Sequence, residues 1–180
     1  FITFYYRIAI KHLHQGLYLF VNGFQTISNF NFIVILIITL VSFGIRVFYA
    51  IKIPISYDEA WTFLNFTRNS VFSSLTYYPA PNNHIFHSLL TNIFVVFPFD
   101  QKINLRLPSI LISTLSVILF FWVFSKLISS RVALLITSIF AFLFPILHYG
   151  YLSRGYSIIL LSFIVCFYCT IRMIQSASKE

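Results

Sequence analysis

Of the 180 residues, 59% are hydrophobic, 20% aromatic and only 9% charged, against roughly 25% charged in ordinary soluble domains. A soluble globular domain is excluded on that balance, and an all-α, polytopic membrane protein is expected. The net charge of +8 sits on the flanks of apolar windows, where it reads as a topology and lipid-headgroup signal and not as a nucleic-acid footprint.

In chain order, residues 1–30 are basic and aromatic and are expected to lie in the cytoplasm or at the interface. The first apolar window, "NFIVILIITLVSFGIRVFYA", predicts a span over about 31–50. No small-residue cleavage pattern follows it, so it does not read as a removable leader. Three further windows predict spans over about 108–128, 132–149 and 155–174, leaving residues 51–107 as one long loop. Within that loop "HIFHSLLTNIFVVF" is apolar but short. About 14 residues make only ~21 Å of helix, which suits a juxtamembrane helix better than a crossing. Pro79, Pro81, Asn82 and Asn83 before it and Pro98 after it punctuate both ends. Cys166 and Cys169 form a CxxC inside the last window, where packing accounts for them. The chain opens on Phe1 and stops soon after the fourth window, so 176–180 is read as a cytoplasmic tail at a truncation point of a longer parent.

With four spans, Arg7, Lys11, Lys126, Arg131, Arg172 and Lys179 share the cytoplasmic side, as the positive-inside rule prefers. Asp58, Glu59, Asn82, Asn83, His84 and His87 then face the extracytoplasmic side together with the turn "YLSRGY".

Asp58 and Glu59 are adjacent in a chain with four acidic residues in all. They suit the first turn of a helix. Equally, a carboxylate held at a membrane boundary can accept a proton from an attacking hydroxyl or hold a divalent cation such as Mg or Mn, with Asp58 the possible ligand. His84 and His87, three apart, share a helical face with Asn83 nearby, a spacing open to metal, to a polar ligand, or to capping by Asn82 or Asn83. Arg154, beside Gly155, either grips a phosphate through paired charge-assisted bonds or snorkels at the boundary. Arg106 has the same two readings, with anchoring favoured because Pro108 is expected to start a span. His148 ends the third window, where it could line a cavity.

The ordered set of first span, "YDEAW", "YPAPNNHIFHSLL", "LRLPSIL", a basic turn, a proline in the third span and "SRGYSIILL" resembles the N-terminal part of GT-C-type membrane glycosyltransferases. It is most similar to bacterial family 39-like members, in the group holding protein O-mannosyltransferase-like and aminoarabinose-transferase-like enzymes. The resemblance covers about residues 31–175. It implies a GT-C-like module in a bacterial inner membrane with an extracytoplasmic active site, transferring a sugar from a polyprenyl-phosphate donor to a glycan, lipid or protein acceptor. Asp58 would be the general base, with Glu59 its neighbour, and Arg154 and Tyr156 would contact the donor phosphate. Asn82, Asn83, His84 and His87 would line the substrate cavity. Relatives often carry a second acid before the arginine, where this chain has Leu152 and Ser153, so a metal is left open.

Two other classes compete. A transporter or flippase would place polar groups at mid-span, and the second and third windows show almost none. A non-catalytic lipid-binding membrane module would tolerate replacement of Asp58.

Overall fold

The computed structural model describes residues 28–77 and 83–177. Expectations that fall on residues 1–27, on Pro79, Pro81 and Asn82, and on 178–180 lie outside them. Among the described residues every regular element is helical. Helix α1 is Asn29–Lys52, α2 is Tyr57–Thr62, α3 is Val71–Thr76 and α4 is Ile85–Phe94. Then come α5 at Gln101–Ser125, α6 at Ser130–Phe142, α7 at Phe144–Tyr151 and α8 at Tyr156–Ala177. A π-helical turn, Phe63–Thr67, continues α2.

Helices α1, α5 and α8 are long and apolar enough to cross a membrane, and α6 with α7 makes a fourth span if the pair is taken as one. That pair is bent by 57°, a departure from the straight third span expected over 132–149. Pro145 is the reason. Continuing α6 through it would lose a backbone bond and press its ring on the carbonyl one turn earlier. Leu143 instead turns extended, and Pro145 falls in the first turn of α7, where a missing N–H costs nothing.

The second span also differs from expectation, since α5 begins at Gln101, seven residues ahead of Pro108, which lies inside the helix. Asp100 caps it by accepting from the Lys102 N–H at 2.9 Å, so the start signal was an acid and not the proline. The short apolar run is a helix of 10 residues, α4, shorter than the 14 expected and well below the length of the spanning helices.

Helix α5 is the hub, packing on α1, α4, α6, α7 and α8. Ile35 and Ile38 of α1, Val117 and Phe121 of α5, and Ala133, Leu134 and Ala141 of α6 form one apolar core. Trp122 and Val123 pack on Ile164 to seat α8. The spans are less uniformly apolar inside than their windows suggested. Ser109, Ser113 and Ser116 make a buried stripe on α5, Thr39, Ser42 and Arg46 are buried on α1, and Thr137 on α6. Small hydroxyl residues let helices approach closely and bond across.

Candidate functional site

The end of α1, the α2–α4 loop, the start of α5 and the turn between α7 and α8 meet at one end of the bundle. The reason is a single carboxylate. Ser56 and Glu59 form a capping box at the start of α2, Glu59 Oε2 accepting from the Ser56 N–H at 3.0 Å. The same carboxylate is fully buried and takes Arg106 in two bonds, Nε to Oε1 at 2.8 Å and Nη2 to Oε2 at 2.7 Å. Its Oε1 also accepts from the Ser153 N–H at 2.8 Å, which ties the turn before α8 to the loop after α1. Burial pushes the Glu59 carboxyl up, but the bonds from Arg106, Ser153 and Ser56 outweigh it and hold it below the usual carboxylate range.

Arg106 does more than neutralise Glu59. Its Nη1 donates to the Ala50 and Ile53 carbonyls, both at 2.8 Å, and its Nη2 to Pro54 at 2.9 Å. Lys102 Nζ donates to the Ile51 carbonyl at 2.6 Å. Two cations of α5 thus satisfy the carbonyls that α1 leaves open at its C-terminus. Arg106 is an anchor, as expected, though through a buried ion pair and not by snorkelling.

Asp58 is next in sequence to Glu59, yet consecutive helical residues diverge by about 100° and only one of them can face inward. The Asp58 carboxylate is 56% exposed and meets Arg154 Nη1 at 2.9 Å, the arginine side chain being 11% exposed. The Arg154 guanidinium lies 5.7 Å from the Tyr156 ring centre. Tyr156 in turn packs on His84 and on Tyr149, with ring centres 5.6 and 4.7 Å apart. Gly155 explains how His84 gets so near, since a Cβ there would come within 2.9 Å of the imidazole ring. Asp58, Arg154, Tyr156 and His84 are therefore one cluster. His84 Nε2 is buried with no hydrogen-bond partner among the described residues. Burial first, then the charge of Arg154, lowers its pKa, against the opposing pull of Asp58.

His87 belongs beneath the cluster. It is buried, with Nε2 3.0 Å from Ser109 Oγ, and that hydroxyl donates to the Arg154 carbonyl at 3.3 Å. The chain of donors requires a proton on His87 Nε2. Burial, helped by the nearby His84 and Arg154 and opposed by Glu59, pushes its pKa down to about 4. Unfolded, the imidazole titrates near 6.5, so the unfolded chain binds the extra proton first. Stability is then present above pH 6.5 and is lost as pH falls toward 4, by about 2–3 kcal/mol from this group. Thermal unfolding between pH 7 and 4.5 should show the loss, and His87→Gln should flatten that slope; an unchanged slope would mean that His87 does not carry it.

Asn83 is a staple and not a ligand group, its Nδ2 donating to the Ser74 carbonyl at 2.8 Å and its Oδ1 accepting from Ser88 Oγ at 3.0 Å. The structure thus brings together Asp58, Arg154, Tyr156 and His84, and sets Glu59, His87 and Asn83 behind them as framework. Among the described residues no group of three or more His, Cys, Asp and Glu side chains converges as a metal site. Asp58 faces a guanidinium instead, so the residues present do not fit a divalent cation. No family model, curated protein or solved structure matches the chain.

Beside the cluster a cleft of about 290 Å³ opens between α7 and α8, lined by Tyr149, Gly150, Tyr156, Ser157 and the apolar Ile159 and Phe163. It reaches the cluster through Tyr156. His148, weighed above as a cavity residue, is engaged by the Tyr151 hydroxyl at 2.8 Å and does not line this cleft. Ser109 as a relay and Arg106 as the partner of Glu59 were not found from sequence. A signal existed for Arg106, a cation in the first turns of a span, but its partner lies 47 residues away.

Proposed function

We propose that the protein is a GT-C-type glycosyltransferase of a bacterial plasma membrane, moving a sugar from a polyprenyl-phosphate donor to an extracytoplasmic acceptor with inversion. The observation that carries the reading is the 2.9 Å pairing of an accessible carboxylate, Asp58, with Arg154, whose guanidinium lies against Tyr156, a lining residue of an apolar cleft. Resting, each group occupies the other. A donor phosphate arriving at Arg154 offers the guanidinium a better bidentate partner and frees the Asp58 carboxylate. Asp58 then takes the proton of the acceptor hydroxyl as its oxygen attacks the anomeric carbon, while the bond to the phosphate oxygen breaks. Arg154, backed by Tyr156, holds the negative charge that develops on the leaving phosphate.

The reading is tested by supplying the membrane-embedded protein, expressed from its complete reading frame, with a panel of polyprenyl-phosphate sugars and following released polyprenyl phosphate. No release from any of them would overturn it. Arg154→Lys keeps the charge and loses the fork, so donor affinity is expected to fall about tenfold or more; unchanged affinity would leave Arg154 as a boundary anchor.

The basic residues at the opposite end of the bundle, Lys126, Arg131 and Arg172, support an extracytoplasmic site. Tyr57 is 77% exposed next to Asp58. In a background lacking Cys166 and Cys169, Tyr57→Cys should react with a membrane-impermeant thiol reagent from outside intact cells. Labelling only after lysis would invert the topology.

The buried hydroxyls of α1, α5 and α6 favour a second reading, a transporter or flippase path. Movement of a lipid-linked sugar across vesicles without cleavage would select it.

A further inference from the structure

The helices α3 and α4 of the first loop are inside out. On α4 the buried positions are His87, Ser88 and Thr91, whereas Ile85, Phe86 and Ile93 are exposed, Phe86 at 61%. On α3 Ser74 is buried while Val71, Phe72 and Leu75 are exposed, Phe72 at 71%. A helix lying on a folded core in water shows the reverse, its apolar stripe inward. The inward polar groups are in use: Asn92 Nδ2 donates to Ser74 Oγ at 2.8 Å, and His87 and Asn83 make the bonds given above.

Charge and depth together identify what covers the outer face. Between Arg68 and Asp100 the sequence holds no Asp, Glu, Lys or Arg. A helix attached to lipid headgroups from the water side carries a charged face, commonly of Lys and Arg, and this arm has none. Its depth is set by α5, one of the helices long and apolar enough to cross a membrane. His87 Nε2 meets Ser109 Oγ at 3.0 Å, and Asn104 Nδ2 donates to the Phe97 carbonyl at 2.8 Å. The segment from His87 to Phe97 therefore runs antiparallel beside Ser109 to Asn104, about 5–12 Å below the first residue of α5, with the His87 end deeper. A helix of 25 residues is about 37 Å long and exceeds a ~30 Å hydrocarbon core by only ~7 Å, so the His87 end stands at hydrocarbon depth.

We infer that the α3–α4 arm is sunk in the leaflet at the site end of the bundle, with Phe72, Leu75, Phe86 and Ile93 among the acyl chains. Its polar face is turned to the protein, where every hydrogen bond is made internally, as a hydrocarbon surrounding demands. His84 opens α4 and packs on Tyr156, so the embedded arm fixes the Asp58 cluster at the lipid boundary. The inference does not rest on the transferase reading.

The test is quenching of a fluorophore on the arm, in the full chain reconstituted into phosphatidylcholine vesicles. In the background lacking Cys166 and Cys169, Phe72→Cys, Phe86→Cys and Ile93→Cys are labelled with bimane, and Tyr57→Cys serves as the water-facing reference. The arm probes are expected to lose most of their fluorescence to a phospholipid with a nitroxide on its acyl chain, at a depth about 5–10 Å inside the headgroup boundary, and little to iodide. Adding phosphatidylglycerol should change nothing, because the arm has no charge to attract it. Quenching of the arm probes by iodide would put the face in water and overturn the inference. Quenching by neither agent would mean that a second copy or another protein covers the face, and would overturn it too. Quenching that requires phosphatidylglycerol would show attachment to headgroups alone, with the same result. All three probes replace exposed side chains, and whichever variants keep the parent unfolding temperature decide the outcome.

Discussion

Asp58→Asn is expected to slow sugar transfer by about 10²–10⁴-fold with the fold intact. The amide keeps the size of the side chain and its place opposite Arg154, but it cannot take a proton. Little stability is at stake, because the Asp58 carboxylate is 56% exposed and such pairs contribute about 0–1 kcal/mol. Initial rates with a polyprenyl-phosphate sugar, set beside the unfolding temperature of the same preparation, separate chemistry from folding. A variant that loses donor affinity but keeps its maximal rate would make Asp58 a positioning group for Arg154. Near-normal turnover would remove it from the reaction.

The second large effect is on stability and concerns the adjacent position. Arg106→Met should lower the free energy of unfolding by about 3–5 kcal/mol, or roughly 10 °C in Tm, because it leaves the Glu59 carboxylate buried without its counter-charge. Glu59→Gln should be comparably damaging, stranding the guanidinium. The double replacement of Glu59 and Arg106 by Met is expected to be milder than the sum of the singles, since no uncompensated charge is then buried. Thermal unfolding of the four proteins in one detergent checks this. Strictly additive losses would show that the two side chains do not act as a pair.

The apolar windows made the spans legible, and the length of the 84–97 run correctly kept it from being read as a crossing. What sequence did not give is where helices start and break under competing signals. Pro108 reads as a span start only until Asp100 is seen to cap α5 eight residues earlier, and Pro145 inside an apolar window marks the 57° bend only once α6 and α7 are seen apart. At the site, a topology argument sufficed to bring Asp58 and Arg154 to one side. It could not divide labour between Asp58 and Glu59, because that depends on which of two consecutive side chains meets Arg106. Arg46 lies in the first apolar window, and its burial shows only in the fold.

The Glu59 carboxylate joins partners that are far apart in the order of synthesis. Arg106 follows it by 47 residues and Ser153 by 94. At ribosomal rates of about 5–20 residues per second, the last bond to this carboxylate waits roughly 5–20 s after Glu59 is made. Assembly is therefore staged: the first clasp forms when α5 arrives, and the cluster at Asp58 is completed only once the turn ahead of α8 has emerged.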